Sequence, residues 1–357
     1  RPAHIRAALD AADPPVAART RVGNPLENVP GVDWCPICED SGRRDGDWES
    51  VGVIEDVEQV RAVIAGSPLE GLIVRDVELF DGVGRVFVID IEQRDVLQMW
   101  SAARALVSTT GRAPCVLATW GEAEVGADRF RPFAGEFGGL SAEQVIERAE
   151  AMGAEDAATW FRDRYSDYAF DVWDSPYGPE SDVERALAET HRRLGLAPSE
   201  GEVREGIGEP ASEESLERWL LTWELTNGAE GGDDPGHLEW CRESSVPTSV
   251  VLLDSTNTSD ALALSSFWAN ESSEDAVALL ALVRSWNRRF GAELVAHYGT
   301  MLKFIVERPP SSIDDAFQLA CEQYWVAPCT TALPGVSLRD HARALLDRPT
   351  WFMHERP

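Results

Sequence analysis

The chain has 357 residues, of which 44% are hydrophobic and 26% charged, and this is the composition of an ordinary globular protein. Its net charge of −30 argues against nucleic-acid or anionic-lipid partners, because binding to phosphates depends on Lys and Arg. No apolar run reaches the ~20 residues of a membrane-spanning helix, and the opening residues have no apolar signal-peptide region. We therefore expect a cytoplasmic protein without membrane contact.

A chain of this length favours two or three packed units rather than one. Residues 1–50 are rich in Pro, Gly and Asp, lack periodicity and predict an irregular N-terminal arm. Residues 51–120 alternate between strand-like and helix-like apolar spacing, which predicts a first α+β unit. Its predicted helices are Val57–Ile64 and Arg94–Val107, and its predicted strands are Gly71–Leu79, Val83–Ile91 and Cys115–Thr119.

Residues 121–245 carry most of the charge, with 30 acidic and 11 basic residues and a net charge of −19. Ser141, followed three residues later by Gln144, is typical of a capping box at a helix start. The segment is predicted to be mainly helical, with linkers over Pro198–Pro210 and Gly228–Gly236. The predicted helices are Ser141–Met152, Glu155–Tyr165, Ser181–Leu194 and Ser212–Thr226.

Residues 246–357 return to mixed periodicity and predict a second α+β unit. The fold class is therefore α+β, with two mixed α/β units joined by an acidic helical middle segment. Whether the two units pack as one body stays open. The predicted strands are Ser249–Leu253, Glu293–Tyr298 and Met301–Val306, and the predicted helices are Asp275–Phe290, Ser312–Trp325 and Leu338–Asp347.

Cys35 and Cys38 form a Cys-x-x-Cys pair, the spacing at which two thiolates can take two of the four positions around zinc. The sequence has no second pair of this kind, and its six histidines are scattered singly. A surface turn with two free thiols is therefore the alternative to a metal site. The other four cysteines do not indicate disulfides in a chain expected to be cytoplasmic.

The sequence contains no complete catalytic signature. The motifs His-Glu-x-x-His, Gly-x-Ser-x-Gly and Gly-Lys-Ser/Thr are all absent, and the single lysine, Lys303, lies in an apolar strand-like run. Asp90 and Glu92 face one side of a predicted strand, as carboxylates of a metal-dependent nuclease would, but a solvated strand end is the alternative. We expect no cofactor and favour a protein that is not an enzyme.

If the chain binds a small ligand, the C-terminal unit supplies the candidate residues. Pockets combine aromatic walls with a few polar groups, and this unit contains both. His297 could also serve as a general base, with a hydrogen-bonded structural histidine as the alternative. The five candidates are Trp268, Asn270, Trp286, His297 and Tyr324.

The C-terminal third resembles a family known only as domain of unknown function 4253, which is actinobacterial and uncharacterised. That family implies a mixed α/β domain but no reaction, so no catalytic residue follows from it. The sequence departs from the family pattern around Cys329. The resemblance rests on Val283–Val295, Val306–Pro310, Ala320–Tyr324 and Arg348–Phe352, with a weaker match over Trp100–Pro114.

Two functions remain open. The first is a non-catalytic binding or immunity-type module that captures a cationic partner such as a basic protein, because an acidic field attracts cations and speeds their encounter. The second is an enzyme or small-ligand-binding protein with its pocket in the C-terminal unit. Solubility alone is the simplest explanation of the charge, and the sequence decides neither the partner nor the oligomeric state.

Overall fold

The computed structural model describes residues 53–79, 84–91, 96–118, 139–166, 181–208, 211–228, 236–239 and 248–356. The strands are β1 Val74–Glu78, β2 Arg85–Ile91, β3 Pro114–Ala118, β4 Thr248–Leu252, β5 Ala292–His297, β6 Met301–Val306 and β7 Thr350–His354. The helices are α1 Val57–Ile64, α2 Val96–Ala105, α3 Val107–Thr110, α4 Ala142–Ala151, α5 Ala154–Ser166, α6 Asp182–Leu194, α7 Glu200–Ile207, α8 Glu213–Thr226, α9 Ala261–Leu264, α10 Ser273–Phe290, α11 Ile313–Val326, α12 Cys329–Ala332 and α13 Leu338–Leu345.

These strands form a seven-stranded sheet in the order β1-β2-β4-β3-β5-β6-β7. β3 and β5 are parallel, and every other neighbouring pair in this order is antiparallel. The α+β class is confirmed. β4 comes from the predicted C-terminal unit but lies between β2 and β3 of the predicted N-terminal unit, and Gly52–Pro357 forms one compact unit. The two predicted units therefore share one sheet.

The sheet buries both faces, as its strand sequences require. In β2, the side chains of Val86 and Val88 join one hydrophobic core, whereas those of Phe87 and Ile89 join the other. This alternation follows from the two-residue period of a strand. The larger core contains buried side chains from α4, α5, α10, α11 and α13, and the smaller one contains side chains from α1 and α2.

Helix α10 is the centre of the larger core. Ser272 caps its N-terminus in a capping box with Asp275, and Gly291 ends it in the left-handed conformation at φ 63°. A side chain at position 291 would also collide with Glu307, because a Cβ atom there would lie 2.8 Å from the Cβ of Glu307. Gly291 therefore both ends the helix and leaves room for Glu307.

The prediction of a linker over Pro198–Pro210 is wrong, because α7 lies within it. Ser199 and Glu202 form a capping box there, and Val203 is fully buried. The two glycines of this helix lower its intrinsic propensity, but Gly206 is needed for packing, because a Cβ there would lie 2.0 Å from the Trp219 indole nitrogen. Tertiary packing thus outweighs local propensity.

Other boundaries agree within a few residues, and the capping box of Ser141 and Gln144 is confirmed. Strand β7 was not among the sequence predictions. The predicted arm over residues 1–50 and residues 229–235 of the second predicted linker lie outside the described residues.

Candidate functional site

Helix α5 presents an exposed stripe of acidic and aromatic side chains. Asp156, Trp160 and Asp163 lie four and three residues apart, so they share one helical face. The opposite face is anchored in the larger core through Ala157 and Phe161, which are 0% and 1% exposed. The anchoring turns the stripe outward, and Trp160 keeps 41% of its surface accessible.

The indole of Trp160 is held in place by Asp275 at the start of α10. Its Nε1 donates a hydrogen bond to Asp275 Oδ1 at 2.8 Å. The other carboxylate oxygen, Oδ2, accepts the backbone N–H groups of Glu271 and Ser272 at 2.7 and 2.8 Å. Because Asp275 is fixed by these bonds, the ring of Trp160 is fixed as well.

Arg164 lies beside the stripe, but its charge is offset by other carboxylates. Its Nη2 is 2.8 Å from Glu271 Oε1, and its Nη1 is 3.4 Å from Asp275 Oδ2. Nη1 also donates to the carbonyl of Ala269 at 3.2 Å. The pairing leaves Asp156 and Asp163 as the negative charges facing the indole, with Arg162 Nε 3.7 Å from Asp163 in an exposed pair.

These side chains line an open cleft of about 460 Å³, bounded by Asp156, Thr159, Trp160, Asp163, Arg164 and Asp275. Glu155 at the start of α5 is a further exposed carboxylate. We call the stripe and its cleft the acidic face. A fixed aromatic ring beside exposed carboxylates is suited to a cation, which the ring attracts through its quadrupole.

Three of the five predicted ligand residues converge near the loop that precedes α10. The backbone N–H of Trp268 donates to Gly299 O at 2.8 Å, and His297 Nε2 lies 3.0 Å from Ser265 O. Trp268 is 53% exposed, whereas Asn270 is 3% exposed and its side-chain amide has no hydrogen-bond partner among the described residues.

The environment of His297 fixes its tautomer. Nδ1 accepts the backbone N–H of Gly299 at 3.0 Å, so the proton belongs on Nε2, which donates to Ser265 O. The ring is 0% exposed. With both nitrogens engaged by backbone groups, this geometry corresponds to the structural alternative rather than to a general base.

Trp286 and Tyr324 lie elsewhere. Trp286 is fully buried, donates from Nε1 to Glu322 Oε2 at 2.7 Å, and packs edge-to-face against Phe304 and Trp351. Tyr324 is partly buried against the same core. The structure thus brings Trp268, Asn270 and His297 together but places Trp286 inside the core.

The remaining sequence candidates are structural or lie outside the described residues. Cys35, Cys38 and Glu92 belong to the latter group, and the described residues contain no group of three or more His, Cys, Asp or Glu able to hold a metal. Asp90 accepts hydrogen bonds from Arg75 at 2.7 Å and from Ser249 at 2.8 Å. Burial raises the pKa of the Cys329 thiol to about 11, with the charge of Glu355 adding to the shift.

The stripe on α5 was missed by the sequence predictions, although a signal was present. The helix over Glu155–Tyr165 was predicted, and the 4,3 spacing of Asp156, Trp160 and Asp163 is visible within it. The contact of Trp160 with Asp275 could not be predicted from the sequence, because 115 residues separate them in the chain.

The fold and this site define a class, an α+β protein with a helix-covered mixed sheet and an acidic, aromatic cleft on one of the helices that cover it. Residues 249–354 match the family model described as "Domain of unknown function (DUF4253)", which confirms the resemblance in the C-terminal third. The matched stretch runs from β4 to the end of β7. No curated protein and no solved structure matches the chain. In the part of the chain that the structure describes, no helix is long and apolar enough to cross a bilayer.

Proposed function

We propose that this chain is a non-catalytic, immunity-type binding protein of the cytoplasm that captures a basic protein at its acidic face. The observation that carries the proposal is the stripe of Asp156, Trp160 and Asp163, in which a fixed, exposed indole lies between two carboxylates. Exposed Trp residues are frequent anchors of protein interfaces. The carboxylates of the stripe complement a cationic surface and would steer its approach.

The chemistry of the cleft favours arginine as the partner's central side chain. A guanidinium is planar, so it can stack on the Trp160 ring while its N–H groups reach carboxylates on either side. The protein stacks its own arginines in this way, since the guanidinium carbon of Arg289 lies 4.7 Å from the Phe290 ring centre. A lysine ammonium would gain the charge attraction but not the stacking.

The test is a capture experiment with the full chain at low and high salt, followed by mass spectrometry of the retained proteins. We expect a basic protein to be retained at low salt and released at high salt, because exposed charge pairs are screened. W160A should weaken capture ~30-fold, the effect of losing an interface anchor of about 2 kcal/mol.

A matched control separates this site from general acidity. D156N/D163N and E200Q/E205Q each remove two negative charges, the first from the stripe and the second from exposed positions on α7. The first pair should reduce capture about tenfold at low salt, and the second should change it little. Equal losses in both variants would mean that net charge alone attracts the partner, and an empty capture would contradict the proposal.

One observation supports the alternative of a small-ligand site. The buried side-chain amide of Asn270 has no hydrogen-bond partner among the described residues. Its atoms are shielded from solvent, so a ligand would have to displace part of the loop around Trp268. Calorimetric screening of small polar ligands against wild type and N270A addresses this alternative directly.

A further inference from the structure

A chain of hydrogen bonds through two buried histidines attaches a short turn to the C-terminal helices. His237 lies in the 3₁₀ turn Gly236–Leu238, and its Nε2 is 3.0 Å from Nδ1 of His341 on α13. His341 Nε2 is in turn 3.0 Å from Oε1 of Gln323 on α11. His237 is 9% exposed, and His341 and Gln323 are fully buried.

This chain of bonds is complete with both rings neutral, and burial makes a charged ring unfavourable there. A neutral imidazole has one N–H and one acceptor nitrogen. With Gln323 Oε1 as acceptor, His341 carries its proton on Nε2 and accepts the N–H of His237 at Nδ1. A proton added to His341 would create a cation that is fully buried. A proton added to His237 would create a cation inside the fold.

The charged groups around the pair compensate such a cation only in part, because Asp340 favours a charged His237 whereas Arg348 opposes it. Arg348 approaches His237 and holds an ion pair with Glu239 at 2.9 Å. On α13, Asp340 is already bonded to Arg193 and Arg343, and Arg339 is bonded to glutamates of α6 and α8. On α11, Glu322 is bonded to Trp286 and Arg289. The neighbouring α12 contributes Cys329, and β7 contributes His354.

We propose that the contact between His237 and His341 is an acid-sensitive latch, which holds the turn Gly236–Leu238 on α13 at neutral pH and releases it on acidification. Release lets both rings reach water and take up protons. The turn follows α8 and precedes β4 in the chain, and its release would leave the sheet intact. This device is independent of cation capture at the acidic face.

The direction of the effect follows from proton linkage. Burial, together with the charge of Arg348, lowers the pKa of His237 from its usual 6.5 to about 4. Burial and the neighbouring His237 also lower the pKa of His341. Opening is therefore favoured as the pH falls below 6.5, and the gain from His237 reaches about 300-fold at full protonation, tenfold per unit of pKa difference.

The test follows the histidine rings by ¹⁵N NMR and backbone hydrogen exchange in the full chain between pH 7 and pH 4. We expect His237 and His341 to stay neutral well below pH 6.5, the ordinary pKa of histidine. As the pH falls further, the Glu239 amide, bonded to Gly236 O at 3.2 Å, should lose protection relative to its intrinsic rate. The amides of β4 and α10 should keep theirs.

H237Q retains a donor for His341 but removes one of the two protons taken up on release, so its turn should stay protected to a lower pH than in wild type. H191Q is the matched control and should behave as wild type. The proposal is overturned if His237 titrates near pH 6.5, the ordinary pKa of histidine, or if H237Q and wild type lose protection at the same pH. It is also overturned if β4 and α10 open together with the turn. The ring titration uses only wild type and therefore decides the question even if H237Q does not fold.

Discussion

Carboxylate side chains have opposite environments in two acidic regions of this molecule, one exposed and one buried. On α5, Asp156 and Asp163 face solvent beside an exposed tryptophan. Between α6, α8 and α13, three glutamates surround the fully buried Arg339, which lies 3.1 Å from both Glu189 and Glu224 and also bonds to Glu217. The first group of carboxylates lies at the surface, whereas the second is neutralised within the fold.

The buried group is an extended ionic network. Glu224 is 0% exposed and accepts hydrogen bonds from Thr190, Arg339 and Arg343. Arg193 bridges Glu224 at 3.1 Å and Asp340 at 2.6 Å. The net charge of −19 over residues 121–245 therefore overstates the negative charge at the surface. Part of that charge is balanced by arginines of the C-terminal region.

The largest expected effect concerns the independence of the family-matched segment. A fragment of residues 248–356 should lack a cooperative fold, because β4 would lose β2 and β3 and two buried arginines would lose their glutamates. Circular dichroism and urea titration of the fragment, beside residues 53–356 as the control, measure this. A cooperative transition in the fragment would show that the network is dispensable.

Arg339→Met should destabilise the fold by about 3–5 kcal/mol, because it leaves Glu217 buried without its arginine and removes one of the three arginines that bind Glu224. Urea unfolding measures the loss. Arg192→Met is the matched control, since Arg192 is 70% exposed and should cost less than about 0.5 kcal/mol. Similar losses in the two variants would contradict the distinction between buried and exposed charge.

The network should also make stability depend on acid pH. Burial alone would raise the pKa of Asp340, but the hydrogen bond and charge of Arg193 outweigh it and lower the pKa from 3.8 to about 2. The stabilisation by Asp340 is present above pH 3.8 and is lost as the pH falls towards 2. We expect this residue to account for ~2 kcal/mol between pH 4 and pH 2.

The measurement is the free energy of unfolding at both pH values in wild type and D340N. The variant should lose less stability on acidification. D314N is the control at an exposed aspartate, whose side chain is 80% accessible, and should keep the wild-type difference. An unchanged pH dependence in D340N would place the acid sensitivity elsewhere.

The smallest expected effect is on the stability of the acidic face. D156N/D163N should change the free energy of unfolding by less than about 0.5 kcal/mol, because both carboxylates are exposed. Thermal unfolding of the purified variant checks this. A loss above about 1 kcal/mol, the typical cost of a structurally important substitution, would mean that the stripe stabilises the fold instead of being available to a partner.

Much of the local structure could be predicted because its signals are short-range. The helix over Val57–Ile64 and the strand over Met301–Val306 were predicted at their observed limits. The linker prediction failed at α7. Gly201 and Gly206 lower the helix propensity there, but Gly206 allows the close contact with Trp219. The stripe on α5 could be read from spacing, whereas its fixation by Asp275 could not.

The sequence by itself determined the α+β class, the helix ends set by side-chain caps, the alternation of strand side chains and the acidic balance of the chain. Each of the local features depends on residues within a few positions of one another. Only the tertiary structure decided that β4 lies between β2 and β3 and that Glu217 and Glu224 are buried around Arg339 whereas Asp156 and Asp163 stay exposed. These outcomes depend on pairing between segments distant in the chain, where many arrangements satisfy the same local pattern and packing selects among them.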